Sequence, residues 1–131
     1  MADLTIDFKK LTAKLMLDDN IIFALVFGSY AKNSQTYRSD LDLSLFFKDP
    51  PQGMEFLELI SEMSDFIKKE VDIVVLNHAS AFLRHQVMKH NVQLFIRDSI
   101  LYREFREKTM TDYDIYKYVS GMNQYDRYAS D

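Results

Sequence analysis

Residues 26–47 read VFGSYAKNSQTYRSDLDLSLFF, and this stretch decides the fold. The apolar run Ile21–Phe27 ends at Gly28-Ser29 and is typical of a strand buried on both faces. After the ten polar, turn-like residues 30–39, the segment from Asp40 to Phe47 alternates with period two. This alternation predicts a second strand with one polar and one apolar face.

Further helices and strands are predicted on either side of this stretch. The spacing of apolar residues predicts helices over residues 3–17, 54–69, 79–90 and 98–119, and strands over residues 71–76 and 92–97. In the third helix, Phe82, Leu83 and Val87 are expected to face inward. Together these elements predict an α/β (α+β) domain with a mixed central sheet of about four strands flanked by helices.

The composition is that of one globular domain. The 131 residues carry 16 Lys+Arg and 20 Asp+Glu, a formal charge of −4, and the sequence pI is near 5.3. This acidity argues against stable nucleic-acid binding, which needs clustered basic residues. Because the chain has no cysteine, disulfides, thiolate zinc sites and cysteine nucleophiles are excluded. Carboxylates are therefore the expected ligands for a metal.

Targeting and membrane signals are not evident. The N-terminal stretch MADLTIDFKKLTAKL lacks a basic segment followed by an apolar one, and the longest apolar run in the chain has seven residues. Neither a secretion signal nor a membrane span is expected from such a pattern. We predict a cytoplasmic protein.

Three aspartates are candidates for a shared site. Asp40 and Asp42 lie two apart on a predicted strand, so their carboxylates leave the same face, roughly 7 Å apart along the backbone. Asp72 interrupts the otherwise apolar third strand. Clustered carboxylates repel one another unless a divalent cation such as magnesium neutralises them. For a bare Asp-x-Asp, a strand that begins at Asp40 and turns Asp42 to solvent is the more common explanation.

The Gly28-Ser29 pair is a candidate phosphate-binding turn. A glycine allows a phosphate to approach the backbone, and a following serine offers both its N–H and its hydroxyl. Alone the pair is merely a turn, but here it precedes Asp40-x-Asp42 by ten residues, with a strand on each side. At average residue usage these four positions recur by chance roughly once in 10⁵ starts, so the spacing favours function over coincidence.

This pattern, G-S-x10-D-x-D followed by a strand bearing Asp72, resembles the nucleotidyltransferase fold of the DNA polymerase beta superfamily. The small chain is most similar to its minimal nucleotidyltransferase (MNT) members. The resemblance covers residues 15–105, within a single domain spanning residues 1–131 whose C-terminal helix and tail occupy residues 98–131. The resemblance includes the strand before Gly28, the Gly28-Ser29 turn and the three aspartates.

The resemblance implies specific roles for the site residues. Gly28 and Ser29 would form the triphosphate-binding turn, Asp40 and Asp42 would bind two magnesium ions, and Asp72 would be the third carboxylate. A second set, Lys32 and Ser39, is expected among the nucleotide-binding residues. Asn33 stands where the family usually has glycine, and asparagine is the non-glycine residue best suited to a positive φ.

The activity implied is magnesium-dependent transfer of a nucleoside monophosphate to a hydroxyl, with ATP as the expected donor. Small stand-alone members resemble the antitoxin half of HEPN/MNT toxin–antitoxin pairs, which transfer AMP to a tyrosine of a HEPN ribonuclease. Such a HEPN-type toxin is the partner we expect. The chain would then act as an adenylyltransferase and antitoxin, as a homodimer or in a hetero-oligomer.

Two alternatives stay open. One is a transferase that acts on a small hydroxylated molecule, as aminoglycoside nucleotidyltransferases do. The other is a non-catalytic MNT module that neutralises its partner by masking it. The complete set of glycine, serine and three aspartates favours catalysis over masking.

Two further features have simpler interpretations. Arg84 and His90 match R-x5-H, the ribonuclease signature of HEPN proteins, but HEPN domains are all-helical and this chain has four strand-like runs. We therefore interpret the pair as a solvated helix face. The tyrosines of the last helix fit either a partner surface or the core, whereas the tail tyrosines are expected to be exposed; the five are Tyr113, Tyr116, Tyr118, Tyr125 and Tyr128.

Overall fold

The computed structural model of the chain describes residues 6–36 and 38–121. Within them lie four α-helices and four β-strands. They are α1 Phe8–Met16, β1 Ile21–Phe27, β2 Leu41–Phe47, α2 Met54–Ile67, β3 Val71–Val75, α3 Ala81–Lys89, β4 Val92–Ile96 and α4 Ser99–Ser120. Two short 3₁₀ turns, Gly28–Tyr30 and Leu76–His78, follow β1 and β3.

The strands form one mixed sheet in the order β3-β2-β1-β4. β1 is antiparallel to both of its neighbours, β2 and β4, whereas β2 and β3 are parallel. The parallel pair is joined through α2, as a parallel connection requires. The predicted α+β fold with a mixed four-stranded sheet is confirmed.

One face of the sheet is covered by α1 and α2. Leu41, Leu43 and Leu45 of β2 are fully buried in the cluster on this face, together with Leu11 of α1 and Met63 of α2. The apolar half of the period-two pattern therefore lies in the core, as predicted. These buried leucines hold β2 in the centre of the sheet.

The opposite face of β2 is not the open polar face that the sequence predicts. Ser44 is fully buried and donates a hydrogen bond to the carbonyl of Leu25, 3.1 Å away. The ring of Phe46 stacks on Phe23 at 5.0 Å and meets Phe105 of α4 at 5.4 Å. Because α3 and α4 cover this half of β2, the polar face is confined to the beginning of the strand.

Element boundaries differ slightly from the predicted ones. β2 begins at Leu41, so Asp40 lies just before the strand rather than in it. Side-chain caps define three helix starts: Asp7, Ser80 and Asp98 each accept hydrogen bonds from backbone N–H groups of the first helical turn. Among the described helices, none is both long and apolar enough to cross a bilayer.

The third and fourth helices pack on each other through polar and aromatic contacts. The Arg84 guanidinium donates to the Asp112 carboxylate at 3.0 Å and to the Ala79 carbonyl at 3.1 Å. The hydrogen bond from Arg84 lowers the pKa of the partly exposed Asp112 carboxyl. The solvated-face interpretation is therefore wrong for Arg84, which joins α3 to α4, although His90 is exposed.

Aromatic residues of these helices are less buried than predicted. Phe82, expected to face inward, is 41% exposed and meets the ring of Tyr116 at 6.0 Å. Tyr116 is 37% exposed and Tyr118 is 81% exposed, so neither belongs to the core. Tyr113 stacks on His85 with a ring separation of 3.6 Å. Tyr125 and Tyr128 lie outside the described residues.

Candidate active site

The sheet register brings the predicted carboxylates together. Asp42 of β2 lies directly opposite Phe27 of β1 on one side and Asp72 of β3 on the other. Neighbouring strands are ~4.8 Å apart, so the Asp42 and Asp72 side chains leave adjacent positions of one face. Asp40 lies two residues earlier on the same chain segment. The three predicted aspartates therefore converge at one end of the β2–β3 pair.

These carboxylates interact electrostatically. Burial raises the pKa of Asp42 above its ordinary value, and the negative charges of Asp72 and then Asp40 raise it further. Asp40 and Asp72 are exposed, whereas Asp42 is only partly exposed. Burial and the two neighbouring charges therefore disfavour the ionised form of the central carboxylate.

Gly28 lies against the central carboxylate. Its φ is +72°, in the region that favours glycine, and it opens the 3₁₀ turn Gly28–Tyr30 at the end of β1. A Cβ atom on Gly28 would lie 2.1 Å from Oδ2 of Asp42 and 2.9 Å from its Cγ. Only a glycine leaves room for the Asp42 carboxylate at this position.

The turn after Gly28 closes on itself through backbone hydrogen bonds. The Gly28 carbonyl accepts from the N–H groups of Ala31 and Lys32, both at 3.1 Å, and the Ser29 carbonyl accepts from Ser34 N–H at 2.9 Å. Asn33 has φ +57°, which confirms that asparagine takes the positive φ expected there. Lys32 is exposed on this turn, next to Gly28.

Ser39 closes a second turn, just before the carboxylates. Its Oγ accepts a hydrogen bond from Thr36 N–H at 2.8 Å, and its own N–H donates to the Thr36 carbonyl at 3.0 Å. The hydroxyl therefore supports the loop that leads into Asp40. A role for Ser39 in nucleotide binding stays a prediction.

The three carboxylates suit a magnesium ion whose remaining ligands are water and substrate phosphates. Among the described residues, no three acidic or histidine side chains form a closed metal-binding group. Magnesium, however, is usually held by one or two carboxylates together with water and substrate phosphates. The adjacent Asp42 and Asp72, with Asp40 beside them, fit that mode of binding.

One residue of this region gave no signal in the sequence. Gln35 lies between the two turns just described, and its Oε1 is buried with no hydrogen-bond partner among the described residues. In the sequence it is one of several polar residues in a turn-like segment. Its burial depends on how the loop folds back, which residue spacing does not reveal.

Comparisons with curated proteins identify adenylyltransferases as relatives. The chain is 42% identical over 50 residues to "Putative protein adenylyltransferase MJ0128" of Methanocaldococcus jannaschii, covering 38% of this chain and 51% of the relative. It is 26% identical over 88 residues to "Putative protein adenylyltransferase MJ0435" of the same organism, covering 67% and 95%. It is 31% identical over 83 residues to protein adenylyltransferase MntA of Shewanella oneidensis, covering 61% and 60%. The match thus spans about half the length of MJ0128.

Solved structures of toxin–antitoxin complexes share the fold. A chain of a toxin–antitoxin crystal structure with AMP-PNP superposes with a TM-score of 0.78 at 24% identity, covering 92% of this chain and 97% of that one. A chain from the complex of tri-AMPylated Shewanella oneidensis HEPN toxin with MNT antitoxin superposes with a TM-score of 0.71 at 21% identity, covering 92% and 99%. At these identities the likeness establishes the fold alone.

A family model settles the membership. The model described as "Polymerase beta, Nucleotidyltransferase" matches residues 9–100, well over half of the chain. The matched residues include the Gly28-Ser29 turn and all three aspartates. The resemblance inferred from the G-S-x10-D-x-D pattern is thereby confirmed: the chain belongs to the polymerase beta nucleotidyltransferase family.

Proposed function

We propose that this chain is a magnesium-dependent protein adenylyltransferase that acts as an antitoxin. It transfers AMP from ATP to a tyrosine hydroxyl of a HEPN-type toxin. The observation that carries the proposal is the register that sets Asp42 between Asp72 and the Phe27–Gly28 turn. The names of the curated relatives and the complexes that share the fold support it.

Each site residue has a role in this reaction. Asp40, Asp42 and Asp72 would hold two magnesium ions, which when bound neutralise the phosphate charge and lower the pKa of the attacking hydroxyl. The Gly28-Ser29 turn, with Lys32 beside it, would bind the triphosphate. The phenolic oxygen attacks the α-phosphorus, the bond to the bridging oxygen of the β-phosphate breaks, and pyrophosphate leaves. Asp72, which is exposed on the edge strand, would accept the phenolic proton.

The wider assignments belong to the same proposal. The chain would form one nucleotidyltransferase domain over residues 1–131, with its core at residues 15–105. It would work in the cytoplasm, in a hetero-oligomer with its toxin. Clusters on the two faces of one sheet support the single domain, because both draw on residues of β1 and β2.

The direct test measures adenylate transfer by an Asp42→Asn variant. Wild-type protein with ATP, magnesium and the HEPN partner should increase the partner's mass by one adenylate. Losing a metal ligand should slow transfer more than about 100-fold, since even mutating the outer partners of metal ligands typically costs 10- to 100-fold. The control is Asp65→Asn, which removes an exposed carboxylate from α2.

The outcomes separate catalysis from the alternatives. An Asp42→Asn variant with full transferase activity would contradict the proposed site. A partner that is tightly held but unmodified by the wild type would indicate masking. If labelled ATP were added to a lysate and the adenylate reached only small molecules, a small hydroxylated acceptor would be indicated.

A further inference from the structure

The C-terminal half of α4 carries apolar side chains that the fold leaves exposed. The helix has 22 residues and is therefore about 33 Å long at 1.5 Å per residue. Near its beginning it packs on the sheet, where the rings of Tyr102 and Phe105 meet Phe23 at 5.0 and 5.5 Å. Farther along the helix, Ile115 is 57% exposed and Val119 is 78% exposed. Large apolar side chains exposed together on one helix indicate an interaction surface.

A single stripe of α4 residues lines two cavities. Its six members follow one another at spacings of 4, 3, 4, 3 and 4, and they are Leu101, Phe105, Lys108, Asp112, Ile115 and Val119. The first three line a cavity of about 470 Å³ that also includes Phe46 and Leu76. The last three line a cavity of about 490 Å³ beside Ala81 of α3, and Arg84 borders both cavities. Alternating spacings of three and four are the pattern by which one helix packs along another, so this α4 stripe suits a helix of about five turns.

The α4 stripe is complementary to itself in the reverse direction. Its spacings read the same from either end, so a second α4 that runs antiparallel places the first member opposite the last. The facing pairs are then two apolar pairs and one ion pair: Leu101 with Val119, Phe105 with Ile115, and Lys108 with Asp112. A parallel arrangement would instead set each charge opposite its own copy, which is repulsive. The partner that matches both halves of the stripe is therefore a second copy of this chain.

The charges along the two cavities balance within each copy. Arg84 and Lys108 both contact the Asp112 carboxylate, at 3.0 and 3.3 Å. Glu104 lines the first cavity as a second acid, and His78 beside it is neutral at pH 7. Two cations thus accompany two carboxylates along the cavities. A two-fold interface, which brings the same surface of both copies together, would gather no excess charge of either sign.

We infer that two copies of this chain pair through the α4 stripe, antiparallel and about a two-fold axis. The C-terminal half of each stripe then fills the cavity beside the N-terminal half of the other. This dimerisation goes beyond the proposed adenylyl transfer and does not depend on it. The cavity residue Phe46 is four residues from Asp42 along β2, roughly 13 Å, so the pairing surface is separate from the carboxylates.

The first test measures self-association of the full chain by sedimentation over a range of concentrations. Ile115→Glu would place an unpaired charge in the apolar cavity of the second copy, so the dimer dissociation constant should rise about 30-fold or more, as for the loss of a hot-spot contact. Met110→Glu is the matched control. Met110 is also 57% exposed on α4, but it lies two residues from Lys108 and from Asp112 and therefore on the opposite side of the helix. This variant should dimerise as the wild type does.

The second test determines the direction of pairing by disulfide crosslinking. The chain has no cysteine, so introduced thiols have no competitors. A mixture of Leu101→Cys and Val119→Cys should form a crosslinked dimer on oxidation. Neither variant alone should do so, because the antiparallel arrangement holds equivalent positions about 27 Å apart, far beyond the reach of a disulfide.

Several results would overturn the inference. One is a wild type that stays monomeric at every concentration, and another is an Ile115→Glu variant that dimerises as tightly as Met110→Glu. Crosslinking of Leu101→Cys to itself would show parallel pairing. If Ile115→Glu abolished binding to the HEPN partner while self-association persisted, the α4 stripe would belong to that partner instead. Loss of dimerisation in Ile115→Glu together with the mixed crosslink would support the antiparallel dimer, whether or not the wild type transfers adenylate.

Discussion

The polar groups at the two ends of β2 have opposite environments. At its C-terminal end, the side-chain amide of Asn77 donates to the Phe47 carbonyl at 2.8 Å and accepts from Phe47 N–H at 3.0 Å. Asn20 makes the same pair of bonds with the backbone of Asp49, both at 2.7 Å. At the N-terminal end, Asp42 faces two like charges and is crowded against Gly28.

The contrast shows which end of the strand is built for a ligand. Each asparagine side chain makes the two hydrogen bonds that a residue of a neighbouring strand would make. The backbone N–H and C=O groups at the end of β2 are therefore paired within the fold. At the beginning of the strand, by contrast, the charges of Asp72 and Asp40 disfavour the ionised form of Asp42. Polar groups that the fold leaves uncompensated, beside groups that it compensates fully, indicate a functional site.

The largest effect that would sharpen this contrast is expected from Gly28→Ala. The added methyl group would occupy the position of the Asp42 carboxylate, 2.1 Å from Oδ2, and force it away. Displacing a reacting group by about 1 Å can cost 100-fold in rate, so transfer activity should fall at least that far. Adenylate transfer under saturating ATP is the measurement.

Gly53→Ala provides the matched control. Gly53 also has a positive φ, +59° against +72° for Gly28, but a Cβ there would meet nothing within 4 Å. Both variants therefore place an alanine at a positive φ, which costs at least about 1 kcal/mol, and only Gly28→Ala displaces a carboxylate. Equal activities of the two variants would disprove the contact between Gly28 and Asp42 as a determinant of catalysis.

At the C-terminal end of β2, Asn77→Ala should lower the stability of the protein and leave its transferase activity unchanged. It removes two partly buried hydrogen bonds and leaves Phe47 N–H and C=O without their partner. We expect the free energy of unfolding to fall by about 2–3 kcal/mol, with the KM for ATP unchanged. Denaturant titration gives the first quantity and transfer kinetics the second.

Asn77→Asp gives a graded comparison at the same position. Aspartate can still accept from Phe47 N–H, but only a protonated carboxyl can donate to the Phe47 carbonyl, and an ionised one repels that oxygen. The stability of this variant should therefore lie between those of Asn77→Ala and wild type at acidic pH and fall as the carboxyl ionises. A large loss of transferase activity in a folded Asn77 variant would break the distinction between the two ends of β2.

The difference between the ends also explains what the sequence could predict. The carboxylate end follows from local patterns: period-two alternation sets Asp42 on a face, and a strand ending at Gly28-Ser29 sets the turn beside it. Asn77 binds the backbone of Phe47, which is 30 residues away in the sequence, and it lies in a 3₁₀ turn that no residue periodicity predicts. Such a contact appears only when the topology is known.

The errors in the predicted burial have the same origin. The alternation of β2 correctly places Ser44 and Phe46 on the face of Asp42, but it does not tell how far α3 and α4 extend over that face. Arg84 resembled a surface residue because its partner, Asp112, is 28 residues away on another helix. Residue spacing within one helix or strand predicts the face on which a side chain lies. Its burial depends on which other helices or strands pack on that face.

The smallest expected effect concerns the pH dependence of stability at the carboxylate end. Burial, Asp72 and Asp40 raise the pKa of Asp42 in the folded protein above its unfolded value. The unfolded chain therefore releases this proton at lower pH than the folded one, and folding becomes less favourable as pH rises through the interval between the two pKa values. Below that interval Asp42 carries its proton in both states and imposes no penalty.

Asp42→Asn removes this titration, so its melting temperature relative to wild type should rise as pH increases through the acidic range and level off above it. Any effect of the substitution on packing does not depend on pH, so the slope isolates the charge. Asp19→Asn, at an exposed carboxylate between α1 and β1, is the control substitution. Asp72→Asn should shrink the slope by removing one of the two like charges. If the Asp42→Asn difference stays constant with pH, the carboxylates are not coupled and the two ends of β2 differ less than their geometry indicates.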